Sequence, residues 1–588
     1  RAYAVADTQS RADDIVARAL REPDGILRQM EAVIRTPQAI TGFVEQVGKN
    51  IALATELFAR GETPELIATV SGSKPARDFW QNILDRARPF FKASTAMSFE
   101  EDLPTNQAFG LLLLWQRIRP HLQTNRGALA AFVFGDGTRA TPFTETDGAQ
   151  KPAIATFVRD AGDGGQPRFL SMVELALHHF VPVQQFLRRS GFNGLVVKWG
   201  DEVQIPTREL SGADPLFHDA DIVRFVSMRN MNADEAKNKD WVGVDGCGAI
   251  TAFIPRRPLE QMEALAQRGL LQRRGGALWG GINLGSIAIS GALLDCLDEE
   301  FKHEVNDPRV RREERPALDP EFFTALTIAA IADSQACAEA WEQMCAECAE
   351  VRALTSRQPD LVPRLRRVIR SLESRHQRKI KMVAMDFGDQ YWGDIGQHSK
   401  IYDFYMALNE AGPPGETARA IAGLPSDRDA QGNLIVNSTI APGVRVSNSV
   451  LINATITGRG TVERSVLIGT RAGNIEAREG FDVLSTVTDL RLDPRGGTYK
   501  VVASQPVHAD PRERLTTLFL PPLGPRIFRV LEDTDLKNKA ANYAVPILGN
   551  PLSFREAHAE MGALATKILE KCRREAEAAV LQILSLPG

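Results

Sequence analysis

ALAAFVFGDGTRATPFTETDGAQKPA, residues 128–153, decides how the chain is read. Ala128–Phe134 is a short apolar run closed by a glycine-rich break, and so fits a buried strand better than a helix. A strand feeding such a loop puts backbone N–H groups at its mouth. Gly135 and Gly137 let the backbone approach an anion with no Cβ in the way and permit positive φ; Thr138 adds a hydroxyl and Arg139 a planar fork suited to phosphate oxygens. Lys151 supplies a point charge from the far end. The stretch reads as a polyphosphate cradle; the bland alternative is an ordinary Gly-Asp-Gly turn with surface charges.

Outward from this loop the chain changes rhythm three times. Residues 1–127 read as an all-α extension, because DDIVARALREPDGILRQMEAVI, QAITGFVEQVGKNIALATELFAR and FWQNILDRARPFF carry apolar residues at three- and four-residue spacing. Residues 128–425 alternate strand-like and helix-like segments, as in an α/β domain with a mixed or parallel sheet. In 426–510, Val444, Val450, Ile456, Val462 and Ile468 recur every six residues, with Ile440, Val446 and Ile452 as a second series. A hexapeptide period with small polar residues between predicts a left-handed parallel β-helix. The alternative is a strand-rich meander with accidental periodicity. Residues 511–588 follow as a C-terminal extension whose stretch from Ser553 to about Leu584 predicts one long amphipathic helix, docked on another domain or a second subunit.

With 588 residues the chain exceeds the size at which one core stops growing. Seventy basic against 74 acidic residues give a formal charge of -4, so no global field favours nucleic acid or an anionic membrane. An anionic ligand must be met by local cations. Six scattered cysteines suit a reducing, cytoplasmic setting; Cys345 and Cys348 form a C-x-x-C inside a helix-like stretch with no second pair or histidine to complete a zinc site. No apolar run approaches the ~20 residues of a spanning helix.

The loop resembles the signature of the sugar nucleotidyltransferases, or nucleoside-diphosphate-sugar pyrophosphorylases: G-G-x-G-T-R, Pro, then Lys-Pro. Gly135, Gly137, Thr138, Arg139, Pro142, Lys151 and Pro152 match, while Phe134 stands at the first Gly and Ala140 at the usual Leu. GLVVKWGDEVQIP (194–206) resembles the family strand ending in Gly-Asp, which makes Asp201 the first metal ligand. YWGDIG (391–396) resembles the family's Y-W-x-D-I-G, closest to the ADP-glucose branch, which makes Asp394 the second. Asp386 and Asp389, just upstream, read as solvated loop charges or as outer carboxylates. DWVGVDGCGAITAFIPRRP (240–258) resembles the family hairpin, with Arg257 at its Lys position and Arg256 near its Glu position, and in INLGSIAIS (282–290) Asn283 and Gly285 match a turn lining the sugar pocket.

The resemblance implies a Rossmann-like domain with a mixed sheet followed by the β-helix, and Mg²⁺-dependent transfer of a nucleotidyl group from an NTP to a sugar 1-phosphate. It implies nucleotide binding by Gly135, Asp136, Gly137 and Thr138, catalytic roles for Arg139 and Lys151, sugar contacts from Arg256, Arg257, Asn283 and Gly285, and homo-oligomers through the β-helix or terminal helix. Two competing expectations are a catalytically inactive nucleotide-binding or regulatory homologue and a hexapeptide-repeat acyltransferase or scaffold. Residues 433–503 contain no histidine of the kind such acyltransferases use.

Overall fold

The computed structural model describes residues 37–91, 95–100, 107–122, 127–133, 138–148, 150, 153–156, 158–159, 167–307, 322–348, 351–352, 359–520, 523–536, 538–564 and 566–585. It is an α/β structure with mixed and parallel sheets. The expected strand is present as Ala128–Phe132, every residue of it buried. It lies between Leu66–Ser71 and Gly194–Trp199, parallel to both, and Thr95–Glu100 extends the sheet beyond Leu66–Ser71. On the other flank the long strand Ala277–Ser290 runs antiparallel to Gly194–Trp199 and to Ile222–Asn230, which Met382–Asp386 joins in parallel.

The all-α reading of residues 1–127 is therefore corrected. Pro37–Arg60, Lys74–Phe91 and Gln107–Ile118 are helices, but Leu66–Ser71 and Thr95–Glu100 are strands of the central sheet. LIATVS is wholly buried, and a six-residue apolar run between two helices carries no period that separates strand from helix. The segment 13–34, also expected to be helical, lies outside the described residues. Behind the sheet Met172–Arg189 is buried along most of its length; Ser171 and Glu174 form a capping box at its start.

From Leu434 onward, strands pair in parallel with strands about sixteen residues later: Leu434 with Val450, Val450 with Val466, Val466 with Phe481, and Phe481 with Gly497. Ser449 and Ser465 bond across one such step, sixteen residues apart. The six-residue apolar series does mark inward positions, since Val450, Ile456, Val462 and Ile468 are buried. The stacking step is nonetheless shorter than three hexads. Single left-handed residues make the corners: Asn437, Asn453, Leu484 and Lys500 have φ of 47°, 52°, 59° and 53°. Asn437 Nδ2 donates to Asn453 Oδ1 at 2.5 Å, tying successive corners together.

Asn tolerates this backbone better than other side chains with a Cβ. Asn453→Ala is expected to lower stability by about 1–2 kcal/mol, and Asn453→Gly by much less, in urea unfolding of the full chain. Equal losses from both substitutions would put the cost in the side-chain bond and not in the corner.

The single long C-terminal helix is also corrected. Glu513–Leu520 and Gly524–Leu531 form an antiparallel hairpin, and two helices follow, Phe554–Ala563 and Thr566–Leu584. Leu564, between them, is extended at φ -83° and ψ 134°, which breaks the helical backbone. The second helix packs on this chain's own strands, Val580 being buried beside Val502 and Phe519. Among the described residues no helix is long and apolar enough to cross a membrane.

Candidate functional site

Ala128–Phe132 and Gly194–Trp199 end side by side. Phe132 is opposite Trp199, and the Gly200 N–H donates to the Phe132 carbonyl at 3.0 Å. The glycine-rich loop and the Gly200-Asp201 turn thus leave the same edge of the sheet, at the carboxyl ends of adjacent parallel strands, where open α/β sheets hold ligands. A Cβ on Gly200 would lie 2.9 Å from Val133 Cγ1, so the close turn requires glycine.

After the turn, Glu202–Ile205 pairs antiparallel with Tyr391–Asp394, placing Asp394 directly opposite Glu202. Directly opposed residues share one face of a ladder, with Cα atoms roughly 4.5–5.5 Å apart. Asp201 and Asp394, 193 positions apart in sequence, are in this way brought to one end of a two-stranded ribbon. Asp394 Oδ1 accepts the Gly396 N–H at 2.6 Å, which fixes the carboxylate.

Near these carboxylates, close enough to feel the charge of both, is a side chain that spacing and motif do not single out. Lys198 is 0 % exposed, and its Nζ lies 3.6 Å from Glu202 Oε2. Burial pushes its ammonium below the usual lysine range, opposed by the negative charges of Glu202, Asp201 and Asp394. A lysine inside the apolar run GLVVKW is the signal that was available: a buried strand tolerates such a charge only beside partners of opposite sign.

The sugar-side residues converge only in part. Strand Ala277–Ser290 slips register against Ile222–Asn230 between Asn283 and Ile287, so Leu284–Ser286 bulges out at this edge. Gly285 sits in the bulge with φ 82°, where a Cβ would come 3.1 Å from Trp199 Nε1. Asn283 Oδ1 accepts from Arg224 Nη2 at 2.5 Å, and its N–H donates to the Asp240 carbonyl at 2.9 Å. The Arg256 guanidinium stands 3.8 Å from the Asp240 carboxylate. Arg257 belongs elsewhere: burial holds its pKa below the usual value, and the charges that oppose this are Glu339 and Glu347, carried by the helix Ser334–Glu347. Asp386 Oδ1 accepts the Met228 and Gly388 N–H groups and so shapes a turn, while Asp389 is 47 % exposed and 4.0 Å from Arg229.

At the loop itself Thr138–Ala140 forms one 3₁₀ turn and Arg139 is exposed. Gly135, Asp136, Gly137 and Lys151 lie outside the described residues. The loop's downstream arm is clamped by the following unit. Asp147 pairs with Lys500 and accepts from the Tyr499 hydroxyl at 2.7 Å, the Ala155 N–H donates to the same hydroxyl at 2.7 Å, and Tyr405 donates to the Ala155 carbonyl at 2.5 Å. A cavity of about 460 Å³ beside this clamp is lined by Phe79, Asp147, Ser171, Lys500 and Arg573, and by none of Lys198, Asp201, Glu202 or Asp394.

The donor set suits Mg²⁺, which takes one or two carboxylates and completes its shell with water and phosphate oxygens. Among the described residues the one group of three ligating side chains within 4.8 Å of one another is Asp493, His508 and Asp510, away from this edge. Asp201, Glu202 and Asp394 therefore do not close into a protein-only cage. Cys348 is the C-cap residue of the helix Ser334–Glu347, which carries Cys345. Neither a family model nor a curated protein sequence matches this chain.

Proposed function

We propose that the chain is a sugar-1-phosphate nucleotidyltransferase. The observation that carries this reading is the meeting of Asp201 and Asp394 around Lys198, at the sheet edge from which the G-D-G-T-R loop departs. Asp201 and Asp394 would hold Mg²⁺, whose contribution is to draw together and neutralise two phosphates that would otherwise repel.

The sugar-phosphate oxygen attacks the α-phosphorus of the NTP; the bond from that phosphorus to the bridging oxygen breaks, and pyrophosphate leaves with the electron pair. No covalent enzyme intermediate is needed, so catalysis rests on alignment and charge. Gly135–Thr138 and Arg139 hold the triphosphate tail, Lys151 offsets charge on the α-phosphoryl group, and Lys198 keeps Glu202 and its neighbours from repelling one another before substrate enters. The finer fold reading, a Rossmann-like domain followed by a parallel β-helix, is supported by the parallel strand ends at the site and by the sixteen-residue stacking after Leu434.

The test is pyrophosphate release from each NTP against a panel of sugar 1-phosphates with Mg²⁺. Nucleotide binding without release from any pair would replace this reading with that of an inactive homologue.

A further inference from the structure

The cavity of about 460 Å³ beside the loop clamp has no part in the proposed reaction, and segments far apart in the chain build it. Phe79 and Ile83 reach it from the helix Lys74–Phe91, Phe169 from the segment before Ser171, and Leu484 from a corner of the stacked strands. Phe519 comes from the hairpin and Leu569 from the terminal helix. The downstream arm of the glycine-rich loop adds Asp147 and Gly148. Gly148 is left-handed at φ 67°, and a Cβ there would come 3.0 Å from the Phe79 ring, so the arm packs closely on the apolar wall.

Small-molecule sites are concavities of roughly 300–1,000 Å³ with mostly apolar walls and a few placed polar groups. This cavity has that size and that lining. A hydrocarbon or aromatic body entering it would take the apolar walls out of water. One polar group is placed to hold the other end of such a molecule. Lys500 lines the cavity and is largely buried, and its ammonium has three protons to donate. One goes to Asp147 Oδ1, and no second acceptor is found among the described residues. Burial holds this ammonium below the usual lysine range; Asp147 opposes the shift, and the Arg573 and Arg86 charges add to it. A ligand oxygen reaching Nζ would gain a charge-assisted bond where little water competes. The two arginines of the lining are already answered, Arg86 by Glu570 at 3.4 Å and Arg573 by Glu577 at 2.7 Å. The cavity therefore offers one ammonium and not a cationic field, which suits a single carboxylate better than a polyphosphate.

We propose that this cavity is a second ligand site, for a small carboxylic acid with an apolar body, its carboxylate on Lys500 Nζ and its hydrocarbon or aromatic part among Phe79, Phe169, Phe519 and Leu569. The site is separate from the carboxylate edge at Asp201 and Asp394, neither of which lines it. Its ligand would touch Gly148, three positions before Lys151 in the loop.

The experiment is calorimetric titration of the full chain against decanoate, 1-naphthoate and inorganic phosphate. Binding is read directly, so the outcome does not depend on turnover or on the nucleotidyltransferase reading. One-to-one binding of decanoate or naphthoate is expected, with none of phosphate at the same concentrations; which carboxylate binds tells an acyl body from an aromatic one. Lys500→Met should weaken that binding by about tenfold or more, as loss of a charge-assisted bond does. Leu569→Trp, which fills the cavity from the terminal helix, should weaken it at least as much. Lys500→Met also deprives Asp147 of its partner, so Leu569→Trp carries the test if the lysine variant does not fold. No binding of either carboxylate, phosphate binding as tight as theirs, or carboxylate binding that Leu569→Trp leaves unchanged would overturn the inference. Binding lost in Leu569→Trp but kept in a folded Lys500→Met would overturn the assignment of the carboxylate to Lys500.

Discussion

Asp394→Asn lowers the rate of pyrophosphate release by about 10²- to 10³-fold, the several kcal/mol that a metal-held carboxylate contributes to charge stabilisation in a transition state. The expectation comes from what the substitution keeps. Asparagine retains Oδ1, so the 2.6 Å bond from the Gly396 N–H can persist and the pairing with Glu202 need not change. Only the charge is lost. One carboxylate near Lys198 is lost, and affinity for a divalent ion drops. The loss should appear in kcat and be partly recovered at raised Mg²⁺, because the metal shell is completed by water and phosphate in any case. Asp389→Asn is the internal comparison: that side chain is 47 % exposed, on the far side of the Gly388 turn, and should leave the rate within about twofold. Near-normal turnover by Asp394→Asn would take Asp394 out of the metal site, and equal losses in the two variants would point to the loop and not to the charge.

What the sequence made legible was local, and what it hid was assembled by topology. Ala128–Phe132 and the Gly200 turn could be read because each is a short apolar run ended by glycine, and the structure joins them through the Gly200–Phe132 bond. That Asp394 lies opposite Glu202, next to Asp201, follows from strand pairing between distant parts of the chain, which spacing alone cannot give. Lys198 is a lone charge inside GLVVKW, and nothing in its spacing separates a strand residue from a site residue. Arg224, Lys239 and Lys400 carry no local pattern at all: they come from a strand, a turn and a helix, and only the fold brings Arg224 and Lys239 to Asp240 and Lys400 toward Lys239. Arg257, adjacent to Arg256 in sequence, turns toward the helix Ser334–Glu347 because neighbours leaving a strand point to opposite sides. In the stacked region the apolar six-residue series located the inward positions, while left-handed corners at Asn437 and Asn453 set the sixteen-residue step.

Acidification below neutrality destabilises the chain steeply, by about 4 kcal/mol at pH 5.5 relative to pH 7.5, and three buried histidines account for it. His178 and His179 lie on the buried helix Met172–Arg189, the first stacked on Phe58 at 4.7 Å between ring centroids. His398 starts the helix after the YWGDIG motif and its Nε2–H donates to the Thr141 carbonyl at 2.6 Å, just beyond the 3₁₀ turn that carries Arg139. Burial lowers the pKa of His179 to about 4 and that of His398 to about 3, the latter helped by the Arg514 charge; burial, with His179 beside it, takes His178 well below its usual value. Above about pH 6.5 all three are neutral in both folded and unfolded chains and contribute nothing to the pH dependence. Below it the unfolded chain binds protons that the folded chain cannot, so stability falls with falling pH, by about 1.4 kcal/mol per histidine for the first unit. The decline continues for each group until its folded value is reached. Buried acids such as Asp482, whose pKa is raised by burial, act in the opposite direction, since the folded chain binds that proton at a higher pH than the unfolded carboxylate does. Urea midpoints measured at half-unit steps from pH 7.5 to 5 should trace this fall, and a midpoint flat to pH 5 would mean that one or more of these rings is protonated in the folded chain.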